Sequence, residues 1–226
     1  MANLILPDPR MEMPELLEPG RKPIGPVEVD WSHSLAKSLA QCWLFNSMRD
    51  LVHGDELTLY NDAWLGPNGL EIPSSTAGAS STNRLVDNGC IFAVAKGPDG
   101  LGYYLYDTNS ARDLLILAGN GVGNMYLYSS NTSASPVLPQ FMLTDERVTH
   151  GVNYGVNEYF YKGKLYRNFS DIASVGGAST MYYGTRYTLA SSLIGYIECF
   201  YVFDRNLTAE EHASLSRNPY QFLIPA

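Results

Sequence analysis

The chain has 226 residues, with 16 Tyr, 20 Gly and only 17% charged residues, which favours an all-β fold with many turns over a helical bundle. A formal charge of -8 excludes nucleic-acid binding through a surface that neutralises phosphates. No apolar run is long enough to cross a membrane as a helix. The start also lacks a basic-then-apolar leader, so synthesis in the cytoplasm is expected.

In chain order, the first 26 residues hold Pro7, Pro9, Pro14, Pro19, Pro23 and Pro26. Proline fixes φ and removes a donor, so an extended, polyproline-like N-terminal arm is expected over 1–26. Apolar residues spaced along it (Leu4, Ile5, Leu6, Met11, Met13, Leu16, Leu17) are candidate anchors onto a neighbour. The body, 27–226, shows short apolar runs separated by Gly, Asn, Asp and Ser. Strands are expected at 41–45, 57–59, 70–72, 90–96, 103–106, 114–118 and 125–128. Further strands are expected at 148–154, 158–161, 164–167, 181–183 and 196–203, with a tight hairpin at Lys162-Gly163. The last strand is apolar on both sets of alternate residues except Glu198, so it should lie inside a sheet. A short helix follows. Thr208 and Glu211 form a capping box, Glu210 and Glu211 suit the first turn, and Pro219 ends it beyond Arg217. Helices this short are unstable alone, so it must dock, and it is expected to cap one end or edge of the sandwich.

The C-terminal "GYIECFYVFDRNLTAEEHASLSRNPYQFL" resembles the closing signature of phage and prophage concanavalin A-like, laminin G-like domains. The start, "PELLEPGRKPIGPVEVDWSHSLAKSLAQCWLFN", is similar to the opening of these proteins, and "NEYFYKGKL" to their hairpin. The resemblance implies a jelly-roll sandwich of two antiparallel sheets with one short C-terminal helix. It also implies a structural calcium at Asp50, Asp55 and Glu198, and no other cofactor.

Catalytic signatures are missing. No pair of carboxylates lies two apart on one strand as in the hydrolases of this fold, and no G-x-S-x-G elbow occurs. "GNGVGN" lacks the Lys and the helix of a phosphate loop. Cys42, Cys90 and Cys199 lack metal-ligand spacing and read as buried thiols. His33, His53, His150 and His212 are scattered and read as surface or turn residues. The tyrosine-rich runs offer stacking platforms for sugars, although alternating tyrosines more often fill a core.

The expected function is therefore a non-enzymatic structural subunit of a tailed-phage virion, decorating the head or assembled elsewhere on its surface. Its expected partners are other capsid or tail proteins and further copies of itself, with neither nucleic acid nor membrane. The alternative is a lectin-like adhesion module that recognises host surface polysaccharide.

Overall fold

A computed structural model describes residues 8–86, 88–97, 102–108, 115–120, 125–129, 137–138, 146–154, 156, 158–168, 179–186, 188–189 and 192–226. In chain order the strands are β1 (Val27–Val29), β2 (Leu39–Trp43), β3 (Thr58–Tyr60), β4 (Trp64–Gly66), β5 (Gly69–Ile72), β6 (Gly78–Thr82), β7 (Cys90–Lys96), β8 (Gly102–Thr108) and β9 (Leu115–Asn120). They continue as β10 (Met125–Ser129), β11 (Val137–Leu138), β12 (Val148–Asn153), β13 (Glu158–Tyr161), β14 (Lys164–Asn168), β15 (Thr180–Tyr183), β16 (Gly195–Phe203) and β17 (Leu223–Pro225). The helix α1 spans Ala209–Arg217.

Two antiparallel sheets pack face to face. One runs β11-β10-β9-β8-β15-β6-β3; the other runs β14-β13-β12-β7-β16-β5-β4, with β2 also pairing β16. The buried layer between them takes alternate residues from both, including Ile91, Ala93, Ala95, Phe200 and Val202 facing Ala79, Met181 and Tyr183. Its rings meet edge to face, Tyr183 and Phe200 at 5.0 Å and Tyr106 and Phe200 at 5.5 Å, as ring quadrupoles favour. β16 lies inside its sheet, flanked by β7 on one side and by β5 and β2 on the other, as its apolar sequence on both faces requires. The β13–β14 hairpin turns at Lys162 and Gly163, both at positive φ (50° and 74°), as a two-residue loop demands.

A second apolar layer covers the outward face of the β16 sheet. Cys42, Cys90, Phe92, Val94, Cys199, Tyr201 and Phe203 meet Val27, Val29, Leu215, Tyr220, Phe222 and Leu223. The cover is a β1–β17 ribbon together with α1. The helix lies on the sheet face over β12 and β13 rather than at an end. Its His212 ring stacks on Phe160 with centroids 3.8 Å apart, and a Cβ at Gly151 would come within 2.4 Å of that ring. Thr208 and Glu211 form the capping box reciprocally.

The segment before β1 departs from a polyproline arm. Asp8 caps a 3-10 turn at Pro9–Glu12, and a second turn follows at Pro14–Leu16. Proline at the first helical positions is preorganised for such turns, which overrides the extended expectation. Leu16 is only 2% exposed and belongs to the outward apolar layer, and Met13 packs partly against the same layer. Leu16 is thus committed to its own domain. Met11 (64% exposed) and Leu17 (48%) face solvent, while Leu4, Ile5 and Leu6 lie outside the described residues.

Candidate functional site: an aromatic platform and groove at the sheet edge

The expected calcium ligands do not form one site. Asp50 is buried, and its Oδ1 accepts from the backbone N–H of Cys42 (3.1 Å) and Val52 (2.9 Å). Its Oδ2 accepts from the N–H of His53 (2.9 Å) and Asp55 (3.2 Å). Four donors fill this carboxylate, which organises the turn. Asp55 is gripped by the Arg84 guanidinium at 2.7 and 2.6 Å, and these hydrogen bonds hold its carboxyl below the usual range. Glu198 is gripped by Arg147 and accepts from the Tyr220 hydroxyl. Calcium needs six to eight oxygens, whereas these oxygens already face N–H and O–H donors. Among the described residues no three His, Cys, Asp or Glu side chains are grouped to hold a metal ion, so the residues present do not fit calcium.

Two histidines correct the surface reading. His150 and His212 are both buried. His212 Nε2 lies 3.1 Å from Asn153 Oδ1 and 3.8 Å from Cys90 Sγ, a Cys-His-Asn grouping reminiscent of a thiol nucleophile. Its electrostatics are those of a core contact. Burial lowers the His212 pKa to about 4 and pushes the Cys90 thiol far up, so neither the thiolate nor the imidazolium forms near neutrality. All three cysteines are free and buried, as their apolar sequence surroundings imply.

The aromatic residues divide by face. Tyr106, Tyr159 and Tyr183, from the tyrosine-rich runs, are fully buried core. Trp64 instead stands 50% exposed on β4, the edge strand. Its indole lies across Gly66, where a Cβ would come within 2.6 Å of Cζ3 and 2.7 Å of Glu71 Cγ. Glycine here lets the ring lie down on the strand. Asn68, in the β4–β5 turn, donates from Nδ2 to Glu71 Oε1 at 2.9 Å, placing a polar pair beside the ring.

Strand register extends this platform. Trp64 pairs with Glu71, Glu71 with Tyr196, and Tyr196 with Lys96. Directly opposed residues in antiparallel strands share a face, so the four form one row across the outward face. Their neighbours Leu70, Ile197 and Ala95 point into the core between the sheets. Next to Trp64, a groove of about 250 Å³ is lined by Lys22, Pro23, Ile24, Asn46 and Leu65–Pro67. Beyond Ile24, itself 79% exposed, a second groove of about 320 Å³ continues along the arm to Pro26, Ser47 and Leu51.

Sequence reasoning missed Trp64, Glu71, Tyr196 and Lys96 as a set. The local cue was "WLGPNGLEI", a Trp two residues before Gly at a Pro-Asn-Gly hairpin. The register that aligns the row is a long-range property.

No protein-family model and no curated protein sequence matches the chain. Solved structures do. The botulinum neurotoxin serotype D binding domain superposes with a TM-score of 0.63 at 14% identity, over 81% of this chain and 52% of that one. Trypanosoma rangeli sialidase gives 0.63 at 13% identity, over 80% and 33%. Domain 4 of AbnA, an extracellular arabinanase from Geobacillus stearothermophilus solved with arabinotriose, gives 0.65 at 14%, over 79% and 98%. The chain therefore spans about half the length of the toxin domain it matches, and nearly all of the arabinanase domain. At these identities the likeness is one of fold: a jelly-roll-like β-sandwich.

Proposed function

We propose that the chain is a non-catalytic glycan-binding module whose contact surface is the Trp64 platform and the adjoining groove. The observation that carries this is the half-exposed indole lying over Gly66 beside the Asn68–Glu71 pair. An indole face packs against the apolar face of a pyranose, while an adjacent amide and carboxylate exchange hydrogen bonds with its hydroxyls. A domain of the same fold solved with arabinotriose supports the reading. The test is a glycan array followed by titration calorimetry on the wild-type chain and Trp64→Ala. Truncating an exposed edge residue should leave the denaturation midpoint unchanged and weaken binding about tenfold or more. Equal binding by both proteins, or binding by neither, removes the proposal.

A second reading, a surface-assembled structural subunit of a tailed phage, is favoured by one observation. Met11, Leu17 and Ile24 all face outward on the segment that packs across the domain. Replacing the three with Ser should then abolish self-association or incorporation into particles. Unchanged sedimentation and incorporation dismiss that reading.

A further inference from the structure

We infer that the platform takes a linear, carboxylate-bearing glycan lying across the strands, with sugar rings on Trp64 and Tyr196 and an acid group at Lys96. This rests on the glycan-binding reading and specifies its ligand. The register sets the spacing. Trp64 and Tyr196 are two inter-strand spacings apart, with Glu71 of β5 between them, so they lie about 10 Å apart. In a flat, extended β-1,4-linked chain that separation is a pair of sugar units, so alternate rings reach alternate aromatics. Glu71 sits between the platforms, where it accepts hydrogen bonds from the intervening hydroxyls. Lys96 is the next residue in the row, one strand beyond Tyr196.

Charge fixes the class of chain. The Glu198 carboxylate, on the same face of β16, is taken by Arg147 and Tyr220. Among the described residues Lys96 makes no ion pair and no side-chain hydrogen bond. Among the described residues, Lys22, Lys96 and Arg147 stand at this end of the face with Glu71 and Glu198, within a chain of net charge -8. Salt screens exposed charges over about 8 Å at physiological ionic strength, so the charges nearest the docked chain weigh most. The Lys22 Nζ is enclosed beside the groove with no hydrogen-bond partner among the described residues, and burial lowers its pKa, so the charge argument rests on Lys96.

The test compares a cello-oligosaccharide with the β-1,4-glucuronate oligomer of equal length, by titration calorimetry on the whole chain. The acidic oligomer should bind about fivefold tighter at low salt, and the difference should vanish at high salt. Lys96→Gln should cancel that advantage and leave the neutral oligomer untouched. Tyr196→Ala should weaken both oligomers yet leave a disaccharide, too short to reach the second ring, unaffected. Equal affinity for the two oligomers, with Lys96→Gln silent, overturns the acidic class while leaving the Trp64 reading intact. Tyr196→Ala without effect on the long oligomers overturns the transverse path. Binding to neither oligomer overturns the inference; other glycans that then bind in a Trp64-dependent way keep the module reading separate from it.

Discussion

Arg147 closes on Glu198 through two hydrogen bonds, Nε to Oε2 at 2.5 Å and Nη2 to Oε1 at 2.8 Å, on the outward face of β16. Glu198 is almost wholly buried, and the Tyr220 hydroxyl donates to the same carboxylate. Burial alone would lower the Arg147 pKa, but the Glu198 hydrogen bonds outweigh it and hold the guanidinium charged. Removing one partner leaves the other charge stranded, which costs more than removing both. Arg147→Ala should therefore destabilise by about 3 kcal/mol. Arg147→Met combined with Glu198→Leu should cost clearly less. Urea denaturation of the three proteins checks the order, and a near-neutral Arg147→Ala would show that Glu198 is solvated.

The buried histidines predict acid sensitivity that starts above the carboxylate range. Burial lowers the His150 pKa to about 3 and the His212 pKa to about 4, against an ordinary 6.5. The folded state thus binds fewer protons than the unfolded chain throughout that interval. Stability should be full above pH 6.5 and fall as pH drops towards 4. Each site contributes at most about 1.4 kcal/mol per pH unit. Carboxylates held low by arginine, such as Asp55 and Glu211, add losses only nearer pH 4. Denaturant midpoints at successive pH values should show the decline, and His212→Gln should flatten its upper part. A flat profile between pH 7 and 5 contradicts the burial of both imidazoles.

What could be read from the sequence follows from what is local. The central strand β16, the Lys162-Gly163 turn and the capping box each sit in a few consecutive residues, and each is found as expected. β6 was invisible because Gly-Ala-Ser-Ser-Thr carries no strand signal. Its small side chains suit a tight site: a Cβ at Gly78 would meet Thr185 at 2.4 Å. The histidines were misplaced because burial depends on strand pairing and packing, with Tyr159 meeting His150 from the neighbouring strand and Asn153 meeting His212 from 59 residues away. For the same reason Glu198 looked like a possible cation ligand until Arg147, 51 residues away, was placed beside it. The row from Trp64 to Lys96 joins four strands, so no single stretch announces it.

The segment before β1 contains both structural and surface residues, and substitution should separate them. Leu16→Ala removes a side chain from the outward apolar layer and should cost about 2–5 kcal/mol. Met11→Ala and Leu17→Ala remove exposed side chains and should each stay within about 0.5 kcal/mol of wild type. Deleting the residues before Val27 should then lower stability, because Leu16 goes with them. A truncated chain as stable as the full one would mean that the segment is only laid on the surface.

Gly66 offers the sharpest test of how the platform is built. A methyl group at this position would press on the Trp64 indole, which stands on the edge strand, and on the stem of the Glu71 side chain. The backbone there is not in the left-handed region, so Gly66→Ala introduces no φ strain. Stability should change by less than about 1 kcal/mol, since the displaced ring can swing into solvent. The flat face offered to a sugar is lost in the same movement. Glycan affinity should fall about as far as in Trp64→Ala, and the two substitutions combined should be no worse than Trp64→Ala alone, because they act through one ring. Full binding by Gly66→Ala would mean that the indole works in another orientation, and additive losses would mean that Gly66 touches the ligand itself.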